Sequence, residues 1–111
     1  MFVATSVQIP ESVPSGPARE LAEDFVKRWA AMFPGRDPNS GARGWDSVNI
    51  IAKAAEIAKA VDGPAMRDAL EKVSGYQGVI TTYNFAPDQH AGITANPFVI
   101  GVVRDGKMVA K

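Results

Sequence analysis

The feature that most constrains this 111-residue chain is a helix that is apolar on two sides. From about Gly44 to Val61, Val48, Ile51, Ala52, Ala55 and Ala58 form one face. A second stripe of Ile50, Ala54, Ile57 and Val61 lies beside it, and Asn49, Lys53 and Glu56 mark the polar remainder. A helix apolar over so much of its circumference is covered from more than one direction. Its alanines let a neighbouring backbone come close.

The elements around it alternate in type. Phe2 to Ile9 reads as a short strand or extended arm, and Glu11 to Gly16 as a loop. Pro17 opens a helix, where its missing N–H costs nothing. Leu21, Phe25, Trp29 and Met32 recur at helical spacing, and Pro34-Gly35 stops the run. Arg36 to Arg43 is polar and reads as a linker before the Gly44 helix. After Asp62-Gly63-Pro64, a third helix carries Met66, Leu70 and Val73, and Gly75 suits its left-handed end. Val79 to Phe85 alternates like a strand, and Pro87 to Gly92 turns the chain. Phe98 to Val103 and Lys107 to Ala110 flank Asp105-Gly106 as a hairpin. Three helices between Val- and Ile-rich strands indicate part of an α/β layered fold.

Composition removes several function classes. Twelve basic and twelve acidic residues balance, with no basic block of the kind a nucleic-acid surface needs. There is no cysteine, hence no disulfide, thiolate metal site or Cys nucleophile. No apolar run reaches the roughly 18 residues that span a bilayer. The first residues lack the pattern of a secretory signal peptide. His90 is the sole histidine, and Asp88 beside it suits a turn. Glu20, Glu23 and Asp24 read as a solvated helix face. Neither a phosphate-binding Gly loop nor a nucleophile elbow occurs. The reading is of no catalytic residue, no metal and no cofactor.

The order of several short motifs resembles one family. Phe25 and Trp29 look like its helical aromatic pair. Gly44-Trp45-Asp46 looks like its small-aromatic-Asp helix start, with Trp where Tyr is usual. Ala65 to Glu71 (AMRDALE) looks like its short Ala-Leu helix. Phe85 to Gly92 (FAPDQHAG) is similar to its terminal turn, and Asp105-Gly106-Lys107 to its last hairpin. Thr81 stands where the family has a second strand glycine, and Gln89 separates Asp88 from His90. The family is the solute-binding proteins of branched-chain amino acid ABC transporters, with the type I periplasmic binding fold. The resemblance covers nearly the whole chain and identifies residues 1–111 as a C-terminal fragment, a partial lobe of that fold.

That resemblance implies a two-lobed receptor that closes on a small solute such as an amino acid and then docks on a membrane permease. It implies a periplasmic location for the full-length protein. Within this chain, the loop from Gly41 to Asp46 is expected to approach the cleft. Trp45 would line it as an aromatic wall, or else pack as the first core residue of its helix. Asp46 would accept a hydrogen bond from a ligand ammonium, or else sit as a first-turn carboxylate favoured by the helix dipole. A second reading is a stand-alone α/β domain that mediates self-association or binds a protein. The isolated fragment is expected to form homo-oligomers, because its two-sided helix lacks a cover.

Overall fold

Asp37 and Pro38 decide where the longest helix begins. The Asp37 carboxylate accepts from the Asn39 N–H at 2.9 Å, and Pro38 follows in the first helical turn. Helix α2 therefore runs Pro38–Ala58 rather than from Gly44, and the expected linker is largely helical. Gly41 and Gly44 do not break it. At Gly41 the missing side chain is needed: a β-carbon there would collide with the Trp29 ring, which lies on the α2 backbone. Lys59 caps the helix in the left-handed conformation, φ 55°, so its last residue is Ala58, three before the expected Val61.

The computed structural model describes residues 2–5 as backbone and residues 9–111 in full. Part of the expected arm from Phe2 to Ile9 lies outside the described residues. Strand β1 is Phe2–Thr5. Helix α1 is Pro17–Met32, opened by Gly16-Pro17 as the sequence indicates. Arg19 ties the segment before it to α1, donating to the carbonyls of Val13 at 2.6 Å and Glu11 at 2.7 Å. Helix α3 is Gly63–Leu70, with the Asp62 carboxylate capping the Ala65 N–H at 3.1 Å. It ends well before Gly75, which nevertheless takes a positive φ of 65° in the following turn.

Two small antiparallel sheets complete the chain. Strand β2 (Tyr76–Gln77) pairs with β3 (Thr82–Tyr83). Strand β4 (Val99–Arg104) lies between β1 and β5 (Lys107–Ala110). Arg104 faces Lys107 across Asp105 (φ 49°) and Gly106 (φ 73°), the double positive φ of a tight hairpin turn. The long strand expected from Val79 to Phe85 is not formed. The Val79 and Ile80 N–H groups bond to a side chain of α2 instead of a neighbouring strand, so these residues are a turn tip.

The core is thin. Phe25, Ala42 and Val79 form its buried centre, with Leu21, Val26, Trp29 and Ile80 packed around them. Met32, expected on the α1 core stripe, is exposed. The radius of gyration is 15.6 Å, where about 13 Å is usual for this length. Accessible surface is 7220 Å², against about 5,900 Å² for a compact 11.8 kDa monomer. Apolar side chains account for part of this, including Val48, Ile51 and Val61 on and just after α2.

Candidate functional site

Ala42, Asp46, Ile50 and Ala54 recur every four residues on α2 and are all buried. An ionisable residue thus occupies the buried stripe of an amphipathic helix. Asp46 is 1% exposed. The first-turn position expected for it does not hold: it is the ninth of the 21 residues of α2, near the middle of the helix. Its Oδ1 accepts from the Val79 N–H at 2.7 Å. Its Oδ2 accepts from the Ile80 N–H at 3.0 Å and from the Tyr83 hydroxyl at 2.9 Å. One carboxylate therefore folds the turn between β2 and β3 onto α2. Charge-assisted bonds of this kind are about twice as strong as neutral ones.

Gly78 makes room for that carboxylate. A β-carbon on Gly78 would stand 2.6 Å from both Asp46 Oδ2 and Tyr83 Cε2. Gly78→Ala is therefore expected to lower stability by about 1–3 kcal/mol, the usual cost of overpacking. A denaturant midpoint checks it. An unchanged midpoint would mean that the turn can retreat without losing its bonds.

Burial, and then the adjacent Asp46 carboxylate, raise the Tyr83 phenol well above its ordinary value near 10. Tyr76 shifts the same way, for the same two leading causes. The neutral phenol is the favoured form in the fold. The stabilisation is whole below the unfolded-state pKa, near 10, and is lost as pH climbs beyond it. Stability should fall above about pH 10, and Tyr83→Phe should make that fall shallower. Chemical denaturation at several pH values reads the difference. Equal slopes in both proteins would remove Tyr83 from the account.

The fixed turn forms one wall of a cavity of about 360 Å³. Arg43 and Ser47, one turn apart on α2, form the facing wall. Ile80, Tyr83, Ile93 and Phe98 supply apolar surface. The Ser47 hydroxyl donates to the Arg43 carbonyl at 2.8 Å, which leaves its oxygen lone pairs as acceptors. Tyr83 presents its ring here, because its hydroxyl is held by Asp46.

Trp45 points elsewhere. Its ring lies 5.9 Å from that of Phe25, with the Arg28 guanidinium 5.4 Å above it. It is 39% exposed and lines a separate cavity of about 230 Å³ with Phe25, Trp29 and Phe33. Trp45 and Asp46 are thus adjacent in sequence and face different neighbours. Sequence reasoning missed Arg43, which it placed in a linker. It also missed the Asp46 network, whose signal was an acidic residue four positions from Ala42 and Ile50. His90 Nε2 stands 3.1 Å from Glu71 Oε1, and Arg67 donates to the same oxygen at 3.3 Å. The His90 contact clasps the 87–92 turn to the end of α3, and the Arg67 bond holds the Glu71 carboxylate from within that helix. Among the described residues no group of three side chains has the makings of a metal site. Among the described residues no helix is long and apolar enough to cross a membrane.

Residues 3–107 match the periplasmic binding protein family. The chain belongs to that family. It shares its fold with a Rhodopseudomonas palustris (strain CGA009) protein at 19% identity and a TM-score of 0.83, covering 97% of this chain and 33% of that one. An extracellular ligand-binding receptor from R. palustris HaA2 is 28% identical, with a TM-score of 0.75 over 99% of this chain and 33% of its own. The leucine-binding protein LivK of Thermotoga maritima is 21% identical, with a TM-score of 0.72 over 97% of this chain and 29% of its own. No curated protein matches the chain. This periplasmic binding protein chain therefore spans about a third of the length of the solved structures it resembles. The partial-lobe α/β architecture indicated by the sequence is the one observed.

Proposed function

We propose that this chain is the C-terminal portion of a two-lobed solute receptor serving an ABC importer. It would help to close on a small solute such as a branched-chain amino acid and present it to a membrane permease, in the periplasm, by binding alone. The observation that carries this reading is the family match across residues 3–107. The leucine-binding neighbour supports the choice of an aliphatic amino acid. In this reading Asp46 acts behind the site, holding Tyr83 and Ile80 as a wall. Trp45, which lines the separate cavity beside Phe25, holds the N-terminal half of α2 against α1 and makes no contact with the solute.

Thermal melting of the chain with excess leucine, isoleucine or valine tests it. At a hundredfold excess over Kd a ligand stabilises by about 2.7 kcal/mol, which is a rise of roughly 10 °C for a domain this size. No rise with any neutral aliphatic amino acid would overturn the amino-acid reading.

One observation favours a second role, self-association. The α2 face opposite Asp46 carries Val48 at 67% and Ile51 at 54% exposure. An apolar stripe so open invites a second copy.

A further inference from the structure

We infer that the cavity between α2 and residues 93–98 is a carboxylate subsite, in which Arg43 grips the acid group of a small apolar monocarboxylate. This rests on the solute-binding reading above and deepens it by naming the ligand class and the residue that recognises it.

The argument starts from charge. Arg43 is exposed at the cavity, and none of the ion pairs among the described residues engages it. The nearest carboxylate in sequence, Asp46, is spent on the Val79 and Ile80 amides and the Tyr83 hydroxyl. An unneutralised guanidinium on an apolar wall suits a planar anion, because its forked N–H groups match a carboxylate with two parallel bonds. Besides Ser47, the remaining lining is Ile80, Ile93, Pro97, Phe98 and the Tyr83 ring, with no second cation. It therefore accepts an aliphatic or aromatic body and gives no partner to a second acid group. A cationic side chain would meet Arg43 with like charge. Ser47 adds a hydrogen-bond acceptor, since its own proton is committed to the Arg43 carbonyl. A ligand ammonium satisfies it. A cavity of about 360 Å³ lies at the small end of ligand sites.

Three probes separate the groups: leucine, 4-methylpentanoate, which lacks the ammonium, and 3-methylbutylamine, which lacks the carboxylate. Calorimetric titration of the 111-residue chain should show binding of the two acids and none of the amine. Arg43→Gln should weaken both acids at least about tenfold, as expected for loss of a charge-assisted pair. Its melting temperature should stay unchanged, because the Arg43 guanidinium bonds to none of the described residues, and the Arg43 carbonyl that Ser47 engages is kept. Amine binding as tight as the acids, or unaltered affinity in Arg43→Gln, would overturn the subsite and leave the solute-binding reading in place. Failure of the unaltered chain to bind any of the three would overturn both.

Discussion

Asp46→Ala is expected to be the most damaging single substitution in this chain. It removes both acceptor oxygens of a group that is 1% exposed. The Tyr83 hydroxyl and the Val79 and Ile80 N–H groups then lose their shared acceptor. Each stranded donor costs about 1–3 kcal/mol, so the three together cost at least about 3 kcal/mol. A domain of this size holds only about 5–15 kcal/mol in total. The melting temperature should drop by roughly 15 °C, and the urea midpoint should fall with little change in slope. Asp46→Asn separates charge from shape. Its amide oxygen can still accept, but its NH2 must turn toward one of the donors. An intermediate loss is expected. If Asp46→Ala stays within about 1 kcal/mol of the parent, the turn is held by apolar contacts and the network is incidental.

The same network explains which parts of this fold were legible in the sequence. Helix α1 was readable because Gly16-Pro17, Phe25 and Trp29 act locally. The Asp105-Gly106 hairpin was readable because its two positive φ angles need those residue types. The start of α2 was also encoded locally, in Asp37-Pro38. It was missed because Gly41 and Gly44 look like breakers. Gly41 is instead the place where the Trp29 ring rests, a contact no local rule announces. The Val79 to Phe85 segment has strand chemistry, yet its first amides bind a carboxylate 33 residues upstream. Periodicity cannot see a long-range partner for a backbone N–H. Once α2 begins at Pro38, Asp46 falls on its buried stripe, and a buried acid demands donors. Moving one helix boundary by six residues thus changes both site residues. Asp46 becomes an interior anchor, and Arg43 moves from a linker onto a helix face.

The isolated chain is expected to self-associate, and the reason lies on the other side of α2. Ala42, Asp46, Ile50 and Ala54 face the interior. Val48, Ile51, Ala52 and Ala55 share the opposite half of the helix, with Trp45 at its edge. Val48, Ile51 and Ala52 are exposed, so the helix is covered on one side only. The chain exposes about 1,300 Å² more than a compact monomer of its mass. A stable interface takes about 800 Å² from each partner, less than the surplus spread over the whole chain. In a receptor three times as long, further chain is available to cover the same stripe. In the 111-residue chain a second copy is the available cover, and it presents an identical stripe about a two-fold axis. Light scattering after size exclusion should give about twice 11.8 kDa or more at micromolar concentration. Ile51→Glu places a charge in the middle of the stripe and should return the monomer. It should leave far-UV ellipticity intact, because Ile51 is already 54% exposed. A sharp 11.8 kDa peak from the unaltered chain would mean that the stripe tolerates water unaided. The two-sided helix would then mark a helix held from one side by the Asp46 network and the thin core beneath it.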